Sequence, residues 1–138
     1  MKDYGFIKKI YSKEANRLWN CFGKNRRGLR DTYLCLRIIQ IEKNGGDFES
    51  YFRCSVNEIS HRSLLVKSQV KKHVKALELI GLVERKREIK MNKKNETPSF
   101  ESFTLYRTKE LSTETIAEAN IKKGYADAMY YHREYKNK

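Results

Sequence analysis

Eleven polar side chains in the middle of this chain have the types and spacing to hold a polyanion: Ser68, Gln69, Lys71, Lys72, Lys75, Arg85, Lys86, Arg87, Lys90, Lys93 and Lys94. At about 100° per residue, Ser68, Lys71, Lys72 and Lys75 gather roughly opposite Val70, and no acidic residue joins them until Glu78 at the edge. Val70, Val74 and Leu77 recur at i, i+4 and i+7, and Ile80 extends the stripe. The pattern predicts a helix over 67–80 that docks by one face and offers ammonium groups on the other. A basic face is also what an ordinary solvated helix shows, so its neighbours decide its meaning.

Other chemistry finds little support. Cys21, Cys35 and Cys54 are odd in number and form no C-x-x-C pair, which suits small buried hydrophobes in a reducing compartment. His61, His73 and His132 fall at no metal-ligand spacing with each other or with the cysteines. No phosphate-cradling glycine loop, nucleophile elbow or metalloprotease His-Glu pair is present. The expectation is a non-enzymatic protein with no metal and no cofactor.

Thirty Lys and Arg against seventeen Asp and Glu give a formal charge of +13 over 138 residues, a length that suits one domain. Such a charge attracts a polyanion, and its concentration in a few tracts argues against a role in solubility alone. With 39% hydrophobic and 12% aromatic residues the chain is expected to fold. It has no apolar run of membrane-spanning length, no signal peptide, and no helix joining a basic face to a strong exposed apolar one. The expectation is a cytoplasmic protein without a membrane partner.

The elements that must position the basic residues follow from the flanking sequence. Ser55-Val56-Asn57-Glu58 is a capping box that starts a short helix, with Val56, Ile59, Ser63 and Leu64 on one face. A few residues separate it from the basic helix, the length of a helix-turn-helix connection. Gly81 closes the basic helix, and Leu82-Val83 opens a strand carrying Arg85, Lys86 and Arg87. A second strand is expected over 100–108, with Phe103 and Leu105 inward and Ser102, Thr104 and Tyr106 outward. The residues between, 92–99, read as a loop holding the only proline.

The segment Val56 to Arg107 resembles the winged helix-turn-helix DNA-binding domains of bacterial, archaeal and phage regulators and initiators. The tract V-K-K-H-V-K-A-L-E-L-I-G-L-V-E-R-K-R looks like their recognition helix running into the first wing strand. It departs from them at Val66-Lys67, where Ser, Thr or Pro is usual. The resemblance implies a mainly α fold with a small antiparallel sheet, helix 67–80 in the major groove of double-stranded DNA and hairpin 82–108 as the wing. Gln69 would then suit an adenine edge, Lys71, Lys72 and Lys75 guanine or phosphate, and the wing cations the backbone or a minor groove. A transcriptional regulator is the leading expectation. A plasmid- or phage-type replication initiator or organiser is the alternative, and a winged-helix protein-interaction module or inhibitor is another. Leu79, placed on the basic side, speaks for the last.

Flanking the winged domain, 29–108, are an N-terminal unit, 1–28, and a C-terminal helix, 109–138. Tyr4 to Tyr11 reads as an arm or first turn, and Ser12 caps a helix with the stripe Ala15, Leu18, Trp19 and Phe22. Residues 23–30 read as a glycine-bounded loop with four cations, either touching phosphates or merely solvated. The helix over 29–42 is expected to be the central pillar, with Tyr33, Arg37 and Gln40 as its polar strip, and 51–54 a short strand beside the wing. The last helix, capped by Ser112 or Thr113, carries the stripe Ala117, Ile121, Gly124, Tyr125, Ala128, Tyr131, His132 and Tyr135. That stripe either packs on the protein's own first helices or forms a homodimer seam.

Overall fold

The computed structural model describes residues 5–94 and 97–126; the side chains of 92–94, 97–98 and 123–126 lie outside the description. The chain runs α1 (Gly5–Ile10), α2 (Lys13–Asn20), α3 (Arg26–Asn44), β1 (Phe52–Arg53), α4 (Val56–Ser63), α5 (Lys67–Leu79), β2 (Val83–Lys94), β3 (Thr97–Thr108) and α6 (Thr113–Ala126). It is mainly helical with one antiparallel sheet, ordered β1-β3-β2.

The N-terminal residues form a helix rather than an arm, because Phe6 and Ile10 lie one turn apart and both reach the core. Ser12 caps α2 by accepting from the Ala15 amide at 3.3 Å, and Ala15, Leu18, Trp19 and Phe22 are buried as the stripe requires. Trp19 Nε1 donates to the Ile10 carbonyl at 3.0 Å, tying α1 to α2. The segment expected as a basic loop is a 3₁₀ turn, Gly23–Asn25, followed at once by α3. The boundary drawn between 28 and 29 therefore falls inside a helix.

The central pillar is α3, but its orientation corrects the sequence reading. Tyr33, Arg37 and Gln40, expected to face water, are buried, while Leu34, Ile38 and Ile41 are only partly covered. The reason is a matching polar end on β3. Arg37 Nη1 donates to Thr108 Oγ1 at 3.0 Å, the Thr108 amide donates to Gln40 Oε1 at 3.3 Å, and the Tyr33 hydroxyl donates to the Lys109 carbonyl. Arg37 also lies 4.0 Å from the centre of the Phe48 ring and 5.3 Å from that of Phe6. Polar groups bonded in this way can be buried without the loss an unpartnered one incurs.

The sheet positions the hairpin. Phe52 pairs with Tyr106, and the β2–β3 ladder runs from Val83↔Thr108 to Lys94↔Thr97. Residues 92–94 and 97–99, expected as loop, are therefore strand. Tyr106, expected outward, is buried against Phe52, with ring centroids 6.1 Å apart, whereas Phe103 is only partly covered. Leu105 is buried as expected, but the helices also cover the sheet's base on the Val83 and Tyr106 face, so Tyr106 turns inward there against the expected alternation.

Candidate nucleic-acid interface

The element expected to read DNA, α5, buries Val70, His73, Val74, Ala76 and Leu77, and Ile80 just beyond its end. Each fully buried Val or Leu contributes about 1.5–3 kcal/mol, enough to fix which face points in. Ser68 and Lys71 are then exposed, and Gln69, Lys72 and Lys75 half-buried. Leu79, expected on the basic side, packs partly against the core, which removes the argument drawn from it. The helix starts without a side-chain cap at Val66. It ends as the sequence predicts, with Gly81 at φ +85° and the Leu82 amide donating to the Leu77 carbonyl at 3.0 Å.

The preceding helix begins at its predicted cap, Ser55 accepting from the Glu58 amide at 3.1 Å. Glu58 turns its carboxylate to Lys43 at 3.2 Å and Arg62 at 3.7 Å rather than closing the box. Leu64, expected on the buried face of α4, instead takes φ +62° and stands 90% exposed in the turn before α5. The turn needs a left-handed residue there, and that conformation turns the side chain outward.

On the hairpin, Arg85, Lys86, Arg87 and Lys90 are exposed. Alternation puts Arg85 and Arg87 on the sheet face that the helices cover at its base, and Lys86 and Lys90 on the other. Arg85 reaches back to Glu78 of α5 at 3.3 Å, and Lys75 meets the same carboxylate at 3.4 Å. Glu78 thus joins helix to wing. Lys86 sits 4.1 Å from the Tyr51 ring centre, so it belongs to a separate surface beside β1. Lys93 and Lys94 are placed by register opposite Pro98 and Thr97. Nine of the eleven candidates therefore divide: Ser68, Gln69, Lys71, Lys72 and Lys75 lie on α5, with Arg85 tied to it through Glu78 and Arg87 on the same sheet face, while Lys86 and Lys90 lie on the far face.

Two features escaped the sequence. Ile89, Met91 and Phe100 are 67%, 51% and 70% exposed, and the register Met91↔Phe100 and Ile89↔Ser102 sets them on one face with Arg85 and Arg87. Alternation hid this cluster, since such residues on a strand predict a buried face. The second is the packing of α3 on α5, where Gly28 abuts the His73 ring. Nothing in the local pattern marks that approach.

The cysteines are free thiols, and burial pushes the pKa of Cys35 up to about 11 and of Cys54 up to about 12. Both are protonated at neutral pH and poor nucleophiles. Among the described residues, no group of three or more His, Cys, Asp or Glu is placed to hold a metal ion. No helix there is long and apolar enough to cross a membrane. On α6, Ser112 accepts from the Thr115 amide at 3.2 Å, as expected of a cap. The helix buries Ile116 and Ala119, however, and leaves Ala117 exposed and Ile121 82% exposed. Ala117 and Ile121 of the expected stripe therefore face away from the core; the side chains of Gly124 and Tyr125, and the members from Ala128 onward, lie outside the description. Comparison with family models, with curated proteins and with solved structures found no match.

Proposed function

We propose that this chain is a non-catalytic double-stranded DNA-binding protein, acting as a transcriptional regulator, with α5 in the major groove and the β2–β3 hairpin as wing. The observation that carries this reading is the division of α5 into a buried apolar face and a lysine-bearing outer face, flanked by Arg85 and Arg87. A major groove about 12 Å wide admits one helix. Gln69 is the side chain suited to an adenine edge, and the lysines to guanine or phosphate. Changing Lys71 and Lys75 to Glu tests it. Glu78 keeps Arg85 as a partner in that variant, so helicity should persist while duplex binding in an anisotropy titration is lost. Unchanged affinity would remove α5 as the binding element.

The apolar cluster of Ile89, Met91 and Phe100 favours a second reading, a protein-interaction module that docks by its wing. A duplex affinity undetectable at low salt, together with a protein partner lost on substitution of Phe100, would decide for it.

A further inference from the structure

Where α2 meets α3, a cavity of about 710 Å³ is lined by Lys24, Arg26, Arg27, Arg30, Asn16 and Asn20, and among the described residues no acidic side chain lines it. Several of these groups are already held in place. Arg26 Nη1 donates to Asn20 Oδ1 at 3.1 Å, the Arg30 guanidinium lies 4.8 Å from the centre of the Tyr11 ring, and Asn16 Nδ2 donates to the Tyr11 carbonyl at 3.2 Å. The cavity opens at the first turn of a nineteen-residue helix whose N-cap, Asn25, makes no side-chain cap bond. That end of α3 adds partial positive charge to the four cations.

The like charges of Arg26, Arg27 and Arg30 repel one another, and an anion between them relieves that repulsion. The planar fork of Arg matches the oxygens of phosphate. Gly28, between Arg27 and Arg30 in sequence, abuts His73 of α5.

We propose that this cavity is a phosphate-binding site, its phosphate supplied by a duplex backbone or by a free phosphate compound. The duplex as source rests on the DNA-binding reading; the chemistry of the cavity does not. Two arms test it on the full chain, comparing wild type with Arg26→Gln/Arg27→Gln. Both arginines are exposed, so the fold should survive, and Lys24→Gln serves as a milder second variant. In the first arm, log affinity for a duplex is followed against log salt, and the double variant should lower the slope by up to about 2, the Lys24 variant by about 1. In the second arm, sodium pyrophosphate is titrated against the melting temperature of each protein.

A reduced slope supports the duplex as source. An unchanged slope, with pyrophosphate raising the melting temperature of wild type but not of the double variant, keeps the phosphate site and moves its source to a free phosphate compound. An unchanged slope with no pyrophosphate effect overturns the site. Should wild type bind no duplex at all, the DNA-binding reading has failed on its own, and the pyrophosphate arm alone decides the cavity.

Discussion

A β-carbon placed on Gly28 would stand 2.2 Å from Nε2 of the buried His73 ring. The contact lies where α3 crosses α5, so one glycine lets the central pillar approach the proposed recognition helix. Elsewhere Gly→Ala in a helix gains up to about 1 kcal/mol. Here the ring cannot withdraw without disturbing its own packing, and overpacking of this kind costs roughly 1–3 kcal/mol. Gly28→Ala should therefore lose stability in urea titration, whereas Gly46→Ala, with nothing within 4 Å of the added atom, should not. Adding His73→Ala should recover part of the loss, a coupling that a double-mutant cycle reads directly. Additive effects would show that the two helices move apart freely.

His73 also sets a pH dependence. Burial, aided by the charge of Lys72, pulls its pKa from 6.5 down to about 4. The unfolded chain takes up the proton near 6.5 and the native protein only near 4, so the native state binds fewer protons between those values. Stability is full above about pH 7, falls as pH drops through that window and levels off below it. The loss by pH 5 is about 2 kcal/mol. His73→Gln should lack this component, so the stability difference between wild type and variant in urea should change by that amount between pH 7 and pH 5. A constant difference would mean that the folded protein accepts the proton without moving.

How much of this was legible depends on the range over which each signal acts. Ser12, Ser55 and Gly81 act within a turn of chain, and each cap stands where the sequence places it. The Val70–Leu77 stripe acts within a helix and is equally faithful. Arg37 and Gln40 failed the same reasoning because their partner, Thr108, is distant in sequence, and periodicity counts a polar residue as exposed whatever awaits it. Leu64 failed because the turn dictates its backbone, and the backbone its exposure. Of the interface, the cations of α5 could be read directly, but the division of the wing cations between two faces required the register of β2 on β3.

The reversal of α6 gives a prediction about assembly. Ile116 and Ala119 face the core while Ile121 is open, so the two isoleucines should respond oppositely to truncation. Ile116→Ala should cost about 2–4 kcal/mol, and Ile121→Ala close to nothing. If Ile121 marks a seam between copies, Ile121→Asp will leave the melting temperature of dilute protein unchanged but lower the mass measured by light scattering at high concentration. Equal mass for both proteins at every concentration would leave no dimer through this part of α6.

The wing offers the sharpest division between the two functional readings, because Arg85 and Arg87 share a face with Ile89 and Phe100. Arg85 and Arg87 should act by neutralising phosphate, each adding about 0.9 to the magnitude of the salt slope. Ile89 and Phe100 release no counterions. If the wing lies against DNA, their half-covered apolar surface contributes about 1 kcal/mol, so Ile89→Thr/Phe100→Thr should weaken duplex binding roughly fivefold at every salt concentration, leaving the slope intact. Their exposure of 67% and 70% means that the fold loses little by the change. Arg85→Gln/Arg87→Gln should do the reverse, lowering the slope by up to about 2. The Arg85 change also frees Glu78 from one of its two cations, so Arg87→Gln alone, with an expected change of about 1, is the cleaner comparison. Wild-type duplex affinity for the threonine variant would detach the apolar face from DNA and assign it to a protein partner, whichever way the arginines behave.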